Sequence, residues 1–536
     1  MSGHLRRHDL GWLAAAVGLV CAAYGRLVAA GFTNWDDDRF VTANPLLRAG
    51  LWTYTKAAFG RPQFEAYAPL HLMSYRVDAA LWPASAGGYH ALSLALLLVG
   101  LAVWFTLARR YAPAPAAAAA VAVFARHPLT VEPVAWIAAR KDLLALIFVG
   151  LTLLATDRQP GARPRPVALA LGAAAFLSKV STVCLPVLVV AQLRWLRGWS
   201  WRASLLGGLP YAVGAAALAL ATWLIFHDNH MIPSSRPVAA VVDVLGTVAA
   251  YVGRAWAPSP SAIYPAAAPH AWLGAALVAG AVVATAATWS RWPGAARYAA
   301  VAYLAALAPV ANLVPVVFRF ADRYALLAHA ALVPAAAIGL GAAWRWAAGR
   351  ARRRWAVVVG IVALVVCELV VTLPTVAAWH DSRSLWRRAV RQQPAAVLAY
   401  AKLGETLRDE HAFAEAHAAY QHLIERAPGD PRGYIGLFLS DARRCEVEGG
   451  LPAGTAAAWY ASLERATEDP ARFRELYGVV AQAGCGAGAT AMVRFGLLRW
   501  PRPVDKLARW AADARRAGDV ATAEAYEEAI RRAAPR

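Results

Sequence analysis

Long apolar runs alternate with short polar turns between residues 10 and 377. A helix that crosses a bilayer needs roughly 20 mainly apolar residues, so this alternation predicts a bundle of transmembrane helices. Several runs are rich in alanine, which lets helices pack closely in lipid. The predicted spans lie near residues 10–32, 88–108, 114–127, 141–156, 166–179, 182–196, 203–226, 271–290, 297–317, 325–344 and 356–377.

A long polar loop at residues 31–87 separates the first two predicted spans. Within it, residues 49–60 and 69–82 combine apolar and aromatic positions with polar ones, which predicts two short helices in the membrane interface. The aromatic residues expected to anchor these helices are Trp52, Tyr54, Tyr67 and Trp82. We therefore expect the loop to lie against the membrane surface.

The composition changes after Trp379 to the mixed pattern of soluble helices. Residues 397–430 match one tetratricopeptide repeat, a pair of helices whose small residues let them touch. The matching positions are Tyr400, Leu403, Gly404, Leu407, Ala416, Tyr420 and Pro428, and a weaker copy at residues 509–535 contains Gly518, Asp519, Ala523 and Pro535. Such repeats stack into a solenoid with a concave surface, so we expect residues 379–536 to bind a peptide or protein.

The overall composition is that of a polytopic membrane protein. Of the 536 residues, 59% are hydrophobic and only 16% are charged, whereas about 25% are charged in soluble domains. The formal charge of +21 would suit a nucleic-acid partner. However, the basic residues lie in short loops between apolar runs, without interleaved aromatic residues, so we exclude nucleic-acid binding.

The distribution of charge predicts the topology. Short cytoplasmic loops are rich in Lys and Arg, so the basic stretch 345–354 should lie inside the cell. This placement requires that the apolar stretch 238–257, which contains Asp243 and Arg254, does not cross the membrane. We expect an all-α fold in which residues 1–378 form a bundle of about eleven spans with a cytoplasmic N-terminus. Residues 379–536 would then form a tetratricopeptide-like α-solenoid outside the cytoplasm.

The five cysteines show no metal-ligand spacing. Cys21, Cys184 and Cys367 lie in apolar runs, whereas Cys445 and Cys485 lie in the C-terminal tail. If the tail lies in an oxidising compartment, the last two cysteines can form a disulfide.

Three consecutive carboxylates, Asp36, Asp37 and Asp38, follow the first apolar run. Mutual repulsion and partial dehydration at a membrane edge both raise carboxyl pKa values, and such groups can serve as a general base or a metal site. The simpler interpretation is a solvated loop that ends a helix. The triplet alone leaves both interpretations open.

Polar residues recur at the predicted outer edges in an ordered set of short motifs. They occupy residues 35–37, 67–70, 127–136, 140–144, 177–179, 321–324 and, less closely, 251–264. Residues 127–142 are here called the second outer motif, and residues 321–324 the third outer motif. This set and the repeat tail resemble the transmembrane and tetratricopeptide-repeat O-mannosyltransferases and their bacterial relatives, over roughly residues 30–430. That family belongs to the C-type superfamily of membrane glycosyltransferases, which use lipid-phosphate-linked sugars. The chain departs from the family pattern at Ser93, Leu97 and Val180.

The resemblance implies an integral-membrane glycosyltransferase at the outer face of a bacterial inner membrane. It would move a sugar from a polyprenyl-phosphate donor to a hydroxyl acceptor, on a protein bound by the repeat tail. The acceptor must lose a proton, which assigns Asp36 as the base, with Asp37 and Asp38 binding the acceptor or a divalent cation. The leaving phosphate needs cations. The residues expected to form the substrate site are Glu132, Arg140, Lys141, Lys179, Asp322, Arg323 and Tyr324.

The same charged residues also allow a purely structural interpretation, because ions inside a membrane usually need a partner. The contacts expected in that case are Glu132 with Arg140 or Lys141, Asp322 with Arg323, and Lys179 extended to the interface.

Two other functional classes are open to such a chain. A transporter usually has repeated halves with broken helices, but the predicted spans show no internal repeat and their charges lie on one face. A non-catalytic membrane scaffold that displays the tail is harder to exclude. It would not need the acidic triplet together with Glu132 and Arg323, so mutation of Asp36 separates a scaffold from an enzyme.

Overall fold

The computed structural model describes residues 7–63, 67–157, 165–228, 237–257, 271–311, 320–448, 504–516, 518 and 520–533. Every regular element within these ranges is a helix or a helical turn, so the predicted all-α class is confirmed there. The chain divides into two compact units, Met1–Leu385 and Trp386–Arg536. The domain boundary predicted at residue 378 stays a prediction.

The first unit contains the long apolar helices. They and the shorter helices between them are α1 (Arg7–Tyr24), α2 (Leu51–Gly60), α3 (Pro69–Leu81), α4 (Ala86–Arg109), α5 (Ala114–Arg126), α6 (Val131–Ala135), α7 (Arg140–Thr156), α8 (Pro166–Ser178), α9 (Leu185–Ala191), α10 (Trp201–Asp228), α11 (Pro237–Trp256), α12 (Ala271–Thr288), α13 (Gly294–Leu307), α14 (Leu326–Trp346) and α15 (Ala351–Ala378).

Several of these helices can cross a membrane. Those among the described residues that are long and apolar enough are Arg7–Ala29, Ala86–Arg109, Trp201–Leu224, Trp272–Arg291, Asp322–Trp346 and Ala351–Ala378. A seventh span is obtained if Ala114–Arg126 and Pro128–Ala135, which are bent by 67° at their break, cross together. Pro166–Ser178, Val180–Leu196 and Gly294–Val310 are apolar but shorter. These helices indicate a membrane protein, and the count of about eleven spans stays a prediction.

Small residues let the central helices approach closely. α4 packs against α7, and α5 packs against α1 and α14. A Cβ atom at Gly150 would lie 2.7 Å from Cγ1 of Val103 and 2.9 Å from Nε1 of Trp104, so only glycine fits where α7 meets α4. The indole N–H of Trp104 donates a 3.0 Å hydrogen bond to the carbonyl of Leu146 on α7. This close packing fixes the start of α7, which carries several candidate site residues.

Polar contacts fasten α15 to the same core. Most of α15 is exposed, but Glu368 and Thr372 are buried. The Thr372 hydroxyl donates a 2.6 Å hydrogen bond to the carbonyl of Arg126, and the Tyr24 hydroxyl donates to the neighbouring carbonyl of Ala125 at 2.8 Å. These bonds hold the C-terminal end of α5, and thereby the helical turn Pro128–Thr130 that follows it.

The two helices predicted in the first loop are present as α2 and α3. Trp52 is 79% exposed, as expected of an interfacial anchor. The anchor prediction is wrong for Tyr54, which is buried and whose hydroxyl donates a 2.8 Å hydrogen bond to the carbonyl of Leu72. Tyr54 and Ala58 form the inner face of α2, because positions four residues apart lie on one side of a helix.

The second unit is also helical. From the end of the first unit onward, the described helices are α16 (Ser382–Gln392), α17 (Val397–Asp409), α18 (Phe413–Arg426), α19 (Pro431–Glu448), α20 (Val504–Arg516) and α21 (Val520–Ala533). α17 and α18 pack together where the repeat pattern predicts a helix pair. The ring of Tyr420 lies so close to Gly404 that a Cβ there would be 2.5 Å from its Cζ. That the tail forms a solenoid stays a prediction.

The weaker repeat copy also coincides with a helix pair. α20 and α21 pack together, with the rings of Trp510 and Tyr526 5.7 Å apart, and Gly518 between them has φ +78°, a conformation that favours glycine. The other two turn positions of this copy, Asp519 and Pro535, lie outside the described residues.

Cys445 on α19 forms a disulfide, whereas Cys21, Cys184 and Cys367 are free thiols. Cys485, the predicted partner of Cys445, lies outside the described residues.

Candidate functional site

The three acidic residues after α1 occupy three different environments. They lie in the segment 30–38, here called the acid loop, which follows the helical turn Gly25–Ala29. Asp36 has a left-handed backbone conformation (φ +65°), which Asp adopts more readily than most residues. Asp37 is buried, Asp36 is partly exposed and Asp38 is exposed. The triplet therefore does not act as three equivalent carboxylates.

Asp37 ties the acid loop to the second outer motif. Its Oδ2 accepts hydrogen bonds from the backbone N–H and the hydroxyl of Thr33 at 2.8 and 2.9 Å, and its Oδ1 accepts from the N–H of Ala138 at 3.2 Å. Burial raises the pKa of Asp37 to about 7, although the hydrogen bonds from Thr33 and Ala138 oppose this shift. Repulsion from Asp36 contributes less than any of these. The predicted rise is thus present at one carboxylate, and its main cause is burial.

The carboxylate of Asp36 is more exposed than the buried carboxylate of Asp37. Its ion pair with Arg39 spans 3.6 Å, and the two side chains are 36% and 51% exposed. Exposed pairs of this kind contribute only about 0–1 kcal/mol, so a ligand can displace the arginine at little cost. Lys141 interacts electrostatically with Asp36 from the start of α7. Asp36 is therefore an accessible acid with a cation nearby.

The second outer motif is held by local hydrogen bonds. His127 ends α5, and its Nδ1 accepts a 3.3 Å hydrogen bond from the N–H of Leu129. The following turn leads into α6, which carries Glu132 and ends at Trp136. The Trp136 indole N–H donates to the carbonyl of Trp35, next to Asp36. The second outer motif therefore holds the acid loop through the hydrogen bond from Trp136 to Trp35.

Glu132 forms a buried ion pair with Arg323 rather than with Arg140 or Lys141. Its Oε2 accepts the backbone N–H of Arg323 at 2.9 Å, and its Oε1 pairs with the guanidinium. The guanidinium also lies 4.9 Å from the centre of the Trp136 ring, within cation–π range. Charge attraction, two hydrogen bonds and ring contact together bring the third outer motif against the second.

Two other structural pairings also differ from those considered in the sequence. Asp322 pairs with Arg254 of α11 at 2.6 Å, not with the adjacent Arg323. Lys179 pairs with Asp142 of α7 instead of extending to the interface. The Lys179 ammonium lies 5.6 Å from the centre of the Tyr324 ring. These pairs join segments that lie far apart in the sequence, because each buried charge is matched by the nearest helix end.

Arg140 is fully buried and holds the first loop. It pairs with Asp78 of α3, and its guanidinium donates to the Ser93 hydroxyl at 3.3 Å and to the carbonyl of Tyr89 at 2.9 Å. Ser93 is one of the departures from the family pattern, and here it has a defined role as an acceptor. Arg140 has no free face for a substrate and acts as a link between α3, α4 and α7.

Lys141 differs from the other candidate cations. Over the ranges that the structure covers, it makes neither an ion pair nor a hydrogen bond. Its electrostatic neighbours are Asp36, Asp142, Lys179 and Arg323. Residues of the acid loop, the start of α7, residue 179 and the turn at residues 322–325 are thus electrostatic neighbours of Lys141. The functional roles assigned to these residues stay predictions.

Several supporting residues escaped the sequence analysis. Asp78 and Arg254 neutralise charges of the site, and Thr33 and Trp136 hold the acid loop. Asp78 could have been found as a lone acid in an interfacial helix, since such an acid needs a cation partner. Thr33 gives no comparable signal in the sequence.

The divalent cation expected at the acid loop would need the carboxylates of the acidic triplet as ligands. No group of three His, Cys, Asp or Glu side chains that could hold a metal occurs among the described residues. Within the triplet, both carboxylate oxygens of Asp37 already accept hydrogen bonds. The acid loop therefore does not fit a cation held by all three carboxylates.

Comparison with known proteins gives one partial match. Over 169 residues, 30% of its length, the chain is 30% identical to Protein O-mannosyl-transferase Tmtc1 of Drosophila melanogaster. The match spans 19% of the fly protein. No protein-family model matches the chain, and no solved structure matches it. The similarity points to a distant relationship with this O-mannosyltransferase over part of both chains.

Proposed function

We propose that this chain is an integral-membrane glycosyltransferase that uses a polyprenyl-phosphate sugar and glycosylates a hydroxyl group. The observation that carries the proposal is the accessible carboxylate of Asp36 together with the ammonium of Lys141, which interacts electrostatically with Asp36 and forms no ion pair among the described residues. A base next to a phosphate-binding cation is the minimum that this transfer requires. The partial similarity to an O-mannosyltransferase supports the same reaction class.

In the proposed reaction, the Asp36 carboxylate accepts the proton of the acceptor hydroxyl. The acceptor oxygen attacks the anomeric carbon of the sugar, while the bond from that carbon to the phosphate oxygen breaks. The lipid phosphate leaves with the electron pair of the broken bond, and its oxygen gains negative charge. Lys141 stabilises that charge, which is the task of a fixed cation in such a site. No step of this proposed reaction needs a metal.

The paired cations have a supporting task in this proposal. Arg323, Lys179 and Arg140 are each neutralised by a carboxylate. They therefore shape the site and hold its loops, and Lys141 supplies the uncompensated charge. Tyr324 lies beside both Arg323 and Lys179 and lines the same region.

The proposal places the site at the outer face of a bacterial inner membrane, with the acceptor protein bound by the repeat tail. The clustering of basic residues in the predicted cytoplasmic loops supports this orientation. Reporter fusions at Gly87, at Arg353 and at the C-terminus should read outside, inside and outside. A cytoplasmic C-terminus would refute the proposed orientation, but it would not contradict the proposed reaction.

Asp36→Asn is the decisive variant, because it keeps the shape of the side chain and removes its basicity. Transfer from a purified polyprenyl-phosphate sugar should fall about 10²–10⁴-fold, the usual loss of acid–base catalysis. The affinity for the donor should stay unchanged. Asp38→Asn is measured alongside, because it separates loss of the base from loss of the acceptor- or cation-binding role expected of the exposed Asp38. Wild-type transfer by Asp36→Asn would remove Asp36 as the base.

A non-catalytic scaffold is the second candidate. The observation that favours it is the pairing of Glu132 with Arg323 and of Asp142 with Lys179, since purely structural ion pairs have this form. For a scaffold, Asp36→Asn would leave the cellular phenotype of the wild type intact. Mass spectrometry of envelope proteins and glycans from a deletion strain, complemented with either form, distinguishes the two functions.

A further inference from the structure

The chain returns to the acid loop directly after α15. Residues 379–382, here called the junction segment, connect the end of α15 to the start of α16. The N–H of Gly31 donates a 2.8 Å hydrogen bond to the carbonyl of His380, and the N–H of Asn34 donates to the Ser382 hydroxyl oxygen at 2.9 Å. Asn34 and Ser382 are 348 positions apart in the sequence. The junction segment therefore borders the acid loop although no outer motif includes it.

The aromatic side chain of the junction segment strengthens this contact. Trp379 is buried, and its ring stacks on Trp136 at 6.4 Å with an interplanar angle of 25°. Trp136 in turn holds the carbonyl of Trp35 and lies under the guanidinium of Arg323. The junction segment thus packs against the side chain that supports both the acid loop and the third outer motif.

The position of Asp36 is set by its neighbours in the chain. Among the described residues, its carboxylate forms an ion pair with the exposed Arg39 at 3.6 Å, and its left-handed backbone must be held by the surroundings. Asp37 and the carbonyl of Trp35 are held by residues 136–138. Asn34, two residues before Asp36, is held by Ser382. Ser382 is thus one of the anchors on the N-terminal side of Asp36.

We propose that Ser382 is a positioning residue for Asp36, so that the junction segment forms part of the catalytic site. The statement about catalysis rests on the proposed function, whereas the statement about position does not. Ser382 acts through the backbone of Asn34 and does not touch the substrate. The first turn of α16 is thereby coupled to the geometry of the acid loop.

The test compares three variants of the full-length protein in detergent or nanodiscs. Ser382→Ala removes the acceptor, and Ser382→Thr retains it. Asp381→Ala is the matched control, because Asp381 caps the same helix by accepting the N–H of Ser384 at 2.7 Å. Hydrogen exchange of the 31–38 peptide is measured for each, together with kcat and the donor KM.

Ser382→Ala should speed exchange at Asn34 and lower kcat about 3- to 10-fold, the effect of one hydrogen bond, with the donor KM unchanged. Ser382→Thr should restore both, and Asp381→Ala should leave exchange in the acid loop as in the wild type. Unchanged exchange in Ser382→Ala, or an equal change in Asp381→Ala, overturns the proposal. So does a rise in KM alone. If the wild type transfers no sugar, the proposed function fails and exchange alone decides the positional claim.

Discussion

The buried carboxylate of Asp37 makes the docking of the acid loop dependent on pH. Its pKa is about 7 in the folded protein, against 3.8 for an ordinary aspartate, so the docked loop binds a proton more tightly than an undocked loop. The stabilising effect of that proton is fully present below pH 3.8 and is lost as the pH rises through 7. With about 1.4 kcal/mol per pH unit, docking weakens by about 4 kcal/mol over this range.

Hydrogen exchange at the Thr33 and Ala138 amides reports docking directly, because both amides donate to Asp37. After correction for the intrinsic rate, their protection should fall from pH 5 to pH 8. Asp37→Asn cannot titrate and should remove this pH dependence. It should also reduce protection at all pH values, since the amide nitrogen of Asn cannot accept a hydrogen bond and costs about 1–3 kcal/mol.

Asp38→Asn is the control for this experiment, because it changes the adjacent exposed acid and should retain the pH dependence of the wild type. The reasoning is refuted if wild-type protection is constant between pH 5 and pH 8. It is also refuted if Asp37→Asn shows the same pH dependence as the wild type.

Three further predictions test other parts of the molecule. Lys141→Ala should lower kcat with little loss of thermal stability, because it removes the charge that stabilises the leaving phosphate. Lys179→Ala leaves the buried carboxylate of Asp142 unpaired and should cost about 3–5 kcal/mol of stability. Equal losses of stability would contradict the assignment. Gly404→Ala should destabilise the second unit by about 1–3 kcal/mol, measured by thermal unfolding, because its Cβ would overlap a tyrosine ring. Gly429→Ala, where nothing lies within 4 Å, should be neutral. Cys445 should resist alkylation until reductant is added, and labelling without reductant would exclude its disulfide.

The sequence predicted which outer segments meet, but not which charges pair. The segments were predictable because polar residues recur at the edges of apolar runs, and Asp36, Lys141 and Arg323 do lie in neighbouring segments. The pairing of Glu132 with Arg323 could not be derived, since it depends on how far each helix end protrudes and on its rotation.

The residues that anchor the acid loop also could not be predicted from the sequence. Thr33 and Ser382 are small, common residues, and their importance lies in contacts with backbone groups. For Tyr54, in contrast, the sequence suggested a role that the structure contradicts. An aromatic residue in an interfacial helix suggests a membrane anchor, but helical spacing places it on the inner face of α2.

Lys141 forms no ion pair among the described residues, and in the proposed reaction this has a consequence for turnover. At about 4 Å and an effective dielectric constant of about 20, one cation attracts one phosphate charge by about 4 kcal/mol. Each further unpaired cation would add a similar amount, and every 1.4 kcal/mol slows release of the spent lipid about tenfold. In the proposed reaction, the internal neutralisation of Arg140, Lys179 and Arg323 would keep the spent lipid phosphate from being held too tightly. Under this proposal, the carboxylates Asp78, Asp142 and Glu132 would set how quickly the emptied carrier lipid leaves and the next donor enters.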